Sequence, residues 1–167
     1  MDIIRRQLTL FHAESNEAIE KIRAAFNPVQ YQLIAAHVTL CREDEIEPIE
    51  SVLKNIRSIQ FDHAIKIQFN SIERFDNGKG VLMTEGNNNA DFYELRKAVL
   101  KGIIQSPGEH LPHITLMHPR NAVCTDAIFT QIKKFKLPVA LRFDTISLIE
   151  QRNGERWKII EQFPIVK

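Results

Sequence analysis

The chain has 167 residues, of which 44% are hydrophobic and 26% charged, and its formal net charge at pH 7 is +1. This length accommodates one domain, and the composition is ordinary for a soluble globular protein. The balanced charge argues against a general binder of duplex nucleic acid, which needs a broad basic surface. It permits a protein that grips one phosphate or the end of a strand.

Neither a membrane span nor a signal peptide is expected. No apolar run approaches the length of a membrane-spanning segment, and the first residues contain neither an apolar core nor a small-residue cleavage site. Cys41 and Cys124 form no CxxC motif, which favours a reduced pair in the cytosol. We therefore expect a cytoplasmic protein.

Hydrophobic patterns predict alternating strands and helices in the first half of the chain. Capping residues and proline mark the ends of the helices. The predicted elements are a strand from Gln7 to Phe11, a helix capped by Ser15 and ended by Asn27-Pro28, a strand from Leu33 to Cys41, a helix opened by a capping box of Asp44 and Glu47, and a strand from Ala64 to Ile72.

The second half repeats this order and closes with a hairpin. Its predicted elements are a strand at Val81 to Met83, a helix capped by Asn89 or Asp91 and reaching Ile103, a strand from Leu111 to Met117, a helix opened by Thr125 and reaching Phe135, and strands from Val139 to Glu150 and from Trp157 to Phe163 around Asn153-Gly154. We expect a single domain over residues 1–167, with two lobes that correspond approximately to residues 1–78 and 79–167.

One four-residue phrase occurs once in each half, as His37-Val-Thr-Leu and as His113-Ile-Thr-Leu. In a strand, positions i and i+2 point to the same face, so each phrase places an imidazole beside a hydroxyl and turns the apolar residues towards a core. If the two strands face each other, His37, Thr39, His113 and Thr115 line one groove. Two histidines and two hydroxyls suit acid–base chemistry on a phosphate.

The duplication gives the phrase its weight. A single histidine near a threonine is more often a structural strand residue than a catalytic group. Two of the six histidines share this apolar setting, which is roughly a one-in-a-thousand coincidence on composition alone.

The two phrases, their flanks Cys41-Arg-Glu-Asp and Met117-His-Pro-Arg-Asn, and the size of the domain resemble the two-histidine (2H) phosphoesterase superfamily. Within it, the chain is similar to bacterial 2'-5' RNA ligase and RNA 2',3'-cyclic phosphodiesterase-like proteins. The resemblance implies an α+β fold with two lobes in a pseudo-two-fold arrangement. Two antiparallel-rich sheets flanked by helices would then enclose a central groove.

The resemblance also implies the site. The catalytic pair would be His37 and His113, the phosphate-binding hydroxyls would belong to Thr39 and Thr115, and neither a metal nor another cofactor would be needed. The sequence contains no HExxH motif or dense Asp/His cluster. Our first hypothesis makes His37 the acid for the leaving oxygen and His113 the base for water, with the roles exchanging when the reaction reverses.

The predicted activity is metal-independent phosphoesterase action on 2',3'-cyclic phosphates or 2'-5' phosphodiester linkages, with reverse 2'-5' ligation allowed by microscopic reversibility. The expected partners are RNA ends or nucleotides that carry such groups, and no membrane. One alternative is a nucleotide- or RNA-end-binding module without physiological turnover. A second is a metal-dependent hydrolase.

Other candidate residues lie around the two phrases. Arg42 and Arg120 follow them and could hold a second phosphate, with a solvated surface charge as the equal alternative. Phe11 could border the groove and stack on a base. His118 is expected to be structural, and Cys41 to be a buried thiol.

The remaining aromatic residues and histidines carry weaker signals. Core packing is the expected role of the other candidates for base stacking, which are Tyr31, Tyr93 and Trp157. No role is assigned to the histidines outside the phrases and their flanks, which are His12, His63 and His110.

Overall fold

The computed structural model describes residues 1–14 and 16–166 of the chain. These residues form eight strands: β1 (Ile4–Leu10), β2 (Val38–Cys41), β3 (Ile65–Phe75), β4 (Gly80–Glu85), β5 (Ile114–Met117), β6 (Ala140–Phe143), β7 (Thr145–Arg152) and β8 (Lys158–Pro164). They also form a 3-10 helix at Glu43–Ile46 and five α-helices: α1 (Glu17–Phe26), α2 (Pro28–Leu33), α3 (Ile49–Ser58), α4 (Ala90–Val99) and α5 (Asp126–Ile132).

The strands build two four-stranded antiparallel sheets with matching layouts. The first sheet has the order β2-β1-β7-β8, and the second has the order β5-β4-β3-β6. The strand that follows each histidine of the repeated phrase, β2 or β5, lies at the edge of its sheet. The predicted α+β class with two antiparallel sheets and flanking helices is therefore confirmed.

The two sheets do not correspond to the two halves of the sequence. The first sheet takes β1 and β2 from the start of the chain and β7 and β8 from its end, whereas β3 to β6 form the second sheet. The predicted lobe boundary between residues 78 and 79 lies in the turn that joins β3 to β4. Asp76, Asn77 and Gly78 have positive φ there, which is typical of a tight turn between paired strands of one sheet.

Apolar residues of both sheets and of the helices form one continuous buried core. In both repeated phrases the apolar residues face this core, while Thr39 and Thr115 stay half-buried. The pleat of an edge strand therefore places each hydroxyl on the opposite face from the core, as the alternation predicted.

Both strands of the repeated phrases are shorter than predicted. Pro28 starts α2, and the Ile34 N–H donates to the Gln30 oxygen at 3.1 Å, so residues 33–37 continue from a helix instead of forming a strand. Pro112 has no N–H for a sheet, and β5 begins only at Ile114. His37 and His113 consequently lie immediately before their strands.

The predicted capping box at Asp44 and Glu47 is wrong. The Arg42 N–H donates instead to Glu45 Oε1 at 2.9 Å, and the 3-10 helix follows. The α-helix begins only after Pro48, whose fixed φ suits the start of a helix.

Other boundaries also differ from the prediction. The helices α4 and α5 end at Val99 and Ile132, and the predicted strand from Val139 to Glu150 is two strands in different sheets, separated only by Asp144. The predicted cap Ser15 lies outside the described residues, and Asn16 Oδ1 accepts the Ile19 N–H at 3.1 Å. No α-helix among the described residues has both the length and the apolar character needed to cross a membrane.

Candidate active site

His110 connects the two repeated phrases. Its Nε2 atom lies 2.8 Å from the backbone oxygen of Thr39, and its ring centroid is 6.1 Å from that of His113. His37 has a pKa below the usual value, mainly because it is buried. The charge of His113 lowers this pKa further, so the two imidazoles are close enough to interact electrostatically. The fold thus brings together phrases that are far apart in the sequence.

The two candidate catalytic histidines are oriented in the same way. Nδ1 of His37 is 2.8 Å from the oxygen of Ala35, and Nδ1 of His113 is 2.9 Å from the oxygen of Leu111. Because a carbonyl oxygen only accepts, Nδ1 carries the hydrogen in each neutral ring. Within residues 1–14 and 16–166 neither Nε2 atom has a hydrogen-bond partner, so both are available to exchange a proton.

His37 has a strongly lowered pKa. Burial lowers its pKa to about 4, although the bond to the Ala35 oxygen acts in the opposite direction. The charges of Arg23, His113 and His118 lower it further. His37 is therefore neutral at pH 7, which is the state that accepts a proton.

Gln7 orients a hydroxyl in the first phrase. Its Nε2 atom donates to Thr9 Oγ1 at 2.8 Å and to Thr39 Oγ1 at 3.2 Å, and the two threonines face each other across β1 and β2. A hydroxyl that accepts from an amide keeps its own hydrogen for another acceptor. The Thr39 hydroxyl can therefore donate to a phosphate oxygen.

A buried arginine supports the loop before each histidine. Arg23 in α1 donates from Nη2 to the oxygen of Ile34 at 2.6 Å, and Arg96 in α4 donates from Nη2 to the oxygen of Gly108 at 3.3 Å. Both side chains are almost completely buried. The two supports repeat the pseudo-two-fold relation of the sheets.

Phe11 lies beside His37, with 6.0 Å between the ring centroids and an edge-on orientation. It also lines a cavity of about 340 Å³, together with Ile149, Trp157 and Ile159. The wall of this cavity is thus largely apolar and aromatic, as a site for a planar base requires.

Arg42 and Arg120 lie just beyond the ends of β2 and β5. The side chain of Arg42 is 52% exposed, with Nε 3.8 Å from Glu45, and the backbone N–H of Arg120 donates to Nδ1 of His118 at 3.1 Å. Within the described part of the chain, no hydrogen bond joins either guanidinium to His37 or His113. Their role in substrate binding stays a prediction.

The two residues expected to be structural are held by the fold. The backbone N–H of His118 donates to Oδ1 of Asn27 at 2.7 Å, and burial lowers the pKa of the His118 ring. Cys41 is fully buried and free, and burial raises the pKa of its thiol to about 12. Cys41 is therefore a core thiol that does not line the site.

Two further features of the molecule bear on the location of the site. A larger cavity of about 1060 Å³ lies between α4 and residues 101–110, and it is lined by neither His37 nor His113. Among the residues that the structure describes, no group of three or more His, Cys, Asp or Glu side chains could hold a metal ion.

The sequence prediction missed several of the residues that build this site. His110 had no motif around it, and nothing in the chain order indicates a contact with Thr39 across 71 positions. Gln7, Arg23 and Arg96 were not singled out, because a polar residue in an otherwise amphipathic segment is usually exposed.

Comparison with solved structures finds the same fold. The crystal structure of E. coli LigT complexed with phosphate matches with a TM-score of 0.59 at 14% identity, over 98% of this chain and 98% of that one. The complex of LigT with 3'-AMP matches with a TM-score of 0.60 at 14% identity over the same shares. A crystal structure described as a phosphoesterase also has a TM-score of 0.60 at 14% identity, over 99% of this chain and 100% of that one.

Crystal structures of LigT with ATP and with NADP+ are similar as well, with TM-scores of 0.58 and 0.61. At identities this low, the likeness is one of fold. No protein with curated annotation matches the chain in sequence. A family model described as the 2'-5' RNA ligase superfamily matches residues 11–155. Since this match spans most of the chain, the protein belongs to the 2'-5' RNA ligase superfamily of 2H phosphoesterases.

Proposed function

We propose that this protein opens 2',3'-cyclic phosphates or cleaves 2'-5' phosphodiester linkages on RNA or nucleotides, with His37 and His113 as its acid–base pair. One observation carries the proposal. In both phrases a carbonyl holds Nδ1–H, so that an unbonded Nε2 lies two residues from a half-buried threonine. The family and the fold support phosphoesterase activity in general.

The proposed reaction needs three contributions from the protein. A water molecule loses a proton as it attacks phosphorus, and the departing ribose oxygen gains one. Two imidazoles with free Nε2 atoms supply these transfers, each worth about 10²–10⁴-fold in rate. The hydroxyls of Thr39 and Thr115 would stabilise the charge on the non-bridging oxygens.

The low pKa of His37 favours a reversal of our first assignment of roles. A histidine with a pKa of about 4 is neutral at pH 7 and suits the base that takes a proton from water. His113 is then the acid that protonates the leaving oxygen. The roles exchange in the ligation direction.

Nucleotide substrates are supported by the ligands of the LigT structures, which include 3'-AMP, ATP and NADP+. In this chain, the cavity beside Phe11 and His37 is the proposed place for a base, and Arg42 and Arg120 are the proposed contacts for a further phosphate. A cytoplasmic location, which the free buried cysteines support, is part of the same proposal.

The test uses 2',3'-cyclic AMP, a short RNA that ends in a 2',3'-cyclic phosphate, and a 2'-5'-linked diadenylate, all in EDTA. We expect hydrolysis of at least one substrate, with a loss of about 10²-fold or more in His37→Ala and in His113→Ala. His63→Ala is the matched control, because the His63 side chain is 59% exposed and bonded to Asp62 and Asp91. The position of the product phosphate identifies the leaving oxygen.

Other outcomes separate the alternatives. If nucleotides bind but no substrate turns over, the chain is a binding module. If EDTA abolishes turnover, the protein is a metal-dependent hydrolase. If both histidine variants equal wild type, the two-histidine mechanism is wrong.

A further inference from the structure

His110 has an unusual position in this fold. It precedes His113 by three residues in the second half of the chain, yet its ring bonds to the backbone of Thr39 in the first half. Its ring also stacks on Phe92, with 6.3 Å between centroids, and lies 6.1 Å from the ring of His113. One side chain therefore contacts an element of both repeated phrases.

We propose that His110 is a positioning residue that fixes the separation of the two phrases by donating Nε2–H to the Thr39 oxygen while its ring supports His113. This inference rests on the proposed function, because the separation matters only if both phrases act on one phosphate. His110 itself exchanges no proton with the substrate in this proposal.

The hydrogen bond from His110 to Thr39 is made to β2, which has few other contacts within its sheet. β2 is an edge strand of four residues, and among residues 1–14 and 16–166 only β1 pairs with it in the sheet. The Thr39 oxygen accepts from His110, and the next oxygen, of Leu40, accepts from Arg96 Nη1 at 3.0 Å. Two consecutive carbonyls of the first phrase thus accept hydrogen bonds from side chains in α4 and in the segment before β5.

Arg96 and His110 differ in the residues that they contact. Arg96 is bound to Glu45 and to the oxygens of Leu40 and Gly108, so it links backbone segments. His110 alone of the pair also has a ring contact with His113. A shift of β2 is consequently transmitted by His110 to the imidazole of the second phrase.

The charge state of His110 fits this role. Burial lowers its pKa, and the charges of Arg96, His113 and Arg42 lower it further, against the bond to Thr39. A neutral ring that donates from Nε2 carries no hydrogen on Nδ1. A neutral His110 also does not repel His113 when His113 is protonated.

The test separates the donor from the ring. His110→Phe keeps an aromatic ring against Phe92 and His113 but has no donor. His110→Gln loses the ring but can place an amide N–H near the position of Nε2. With 2',3'-cyclic AMP as substrate, we expect His110→Phe to lower kcat by about 10- to 100-fold with little change in KM, because small displacements of reacting groups have effects of this size.

We expect His110→Gln to recover part of this loss, because it restores the donor to Thr39 but not the ring beside His113, and to keep the shape of the wild-type pH–rate profile. His63→Phe and His63→Gln are the matched controls and should equal wild type. If His110→Phe equals wild type, the proposal is wrong. If His110→Gln is as inactive as His110→Phe and one limb of its pH profile is lost, His110 acts as an acid or base and the positioning role is also wrong.

A second measurement does not depend on turnover. In ring-nitrogen NMR spectra at pH 7, His110 should be neutral with the hydrogen on Nε2. The backbone amide signals around Thr39 should move in His110→Phe, which lacks the donor, and return towards their wild-type positions in His110→Gln. The ring signals of His113 should move in His110→Gln, which removes the adjacent ring. A charged His110, or one with the hydrogen on Nδ1, contradicts the proposal. If no substrate turns over in wild type, the proposed function fails, and these spectra still decide whether His110 holds the two phrases together.

Discussion

Arg96 and Glu45 form an ion pair whose side chains are only 4% and 5% exposed. The pair joins α4 to the 3-10 helix after β2, with Arg96 Nη1 2.8 Å from Glu45 Oε1. The same carboxylate oxygen accepts the Arg42 N–H at 2.9 Å. Burial alone would raise the pKa of Glu45, but these hydrogen bonds outweigh burial and lower it. Through Arg96, this buried pair connects Leu40 of the first phrase to Gly108 in the loop before the second phrase.

We expect Glu45→Ala to reduce the free energy of unfolding by about 3–5 kcal/mol, because it leaves a buried guanidinium without its partner. Urea unfolding followed by circular dichroism measures this change. Glu43→Ala is the matched control, since Glu43 is 43% exposed and pairs with the partly exposed Arg5. An exposed pair contributes only about 0–1 kcal/mol. Equal losses in the two variants would contradict the buried pair's importance.

The low pKa of His37 predicts how kcat/KM depends on pH. If His37 is the base, it must be neutral, so kcat/KM should hold down to about pH 4 and fall below it. An unperturbed histidine would give a limb at about pH 6.5. NMR titration of His37 checks the same value without substrate, and a midpoint near the ordinary value would contradict it.

The lowered pKa of His37 also makes the free energy of unfolding depend on pH. The folded pKa of His37 is below the unfolded value, so between these two pH values the unfolded chain binds a proton that the folded chain does not. The contribution of His37 to stability is therefore present above the unfolded pKa and is lost as the pH falls towards about 4. Replacement by Gln, which does not titrate, should flatten this part of the stability profile.

Removal of either threonine hydroxyl should slow the reaction while leaving the fold intact. Thr39→Val and Thr115→Val keep the branched shape but remove a donor to the phosphate, and a loss of about 10- to 10³-fold in kcat is expected. Thr130→Val is the matched control, because its hydroxyl bonds only to the Asp126 oxygen on an exposed helix face. Unchanged kcat in both site variants would exclude a role for the hydroxyls in the transition state.

Trp157 provides an optical test of the cavity beside His37. It is the only tryptophan in the chain and lines this cavity together with Phe11. A base that stacks there should quench its fluorescence, and titration with 3'-AMP should therefore saturate. Phe11→Ala should weaken binding, whereas Phe135→Ala, outside the cavity, should not. Quenching that is unaffected by Phe11→Ala would place the base elsewhere.

The repeated phrases could be predicted because each carries its information locally. Apolar residues at alternate positions fix which face of β2 and β5 meets the core, and this places Thr39 and Thr115 on the other face. The predicted starts of the two strands were wrong because of Pro28 and Pro112. Each restricts the backbone before a phrase, and the strands therefore begin after the histidines.

The remaining contacts were not predictable because they join distant segments. The bond from His110 to Thr39 depends on where two sheets meet, and no periodicity encodes that distance. The crossing at Asp144 was missed for a similar reason. β6 and β7 are both rich in apolar residues, so their sequence reads as one continuous strand. They differ only in their pairing, because β6 pairs with β3 and β7 pairs with β1.

The position of β7 has a consequence for how the molecule is assembled during synthesis. β1 pairs with β7 along most of its length, from Ile4 opposite Arg152 to Thr9 opposite Ser147. The second sheet can complete itself once β6 has been made, but β1 and β2 must wait for a strand near the other end of the chain. A chain truncated before Thr145 would contain both repeated phrases, and yet β1, the strand that pairs with the first phrase, would lack its partner β7.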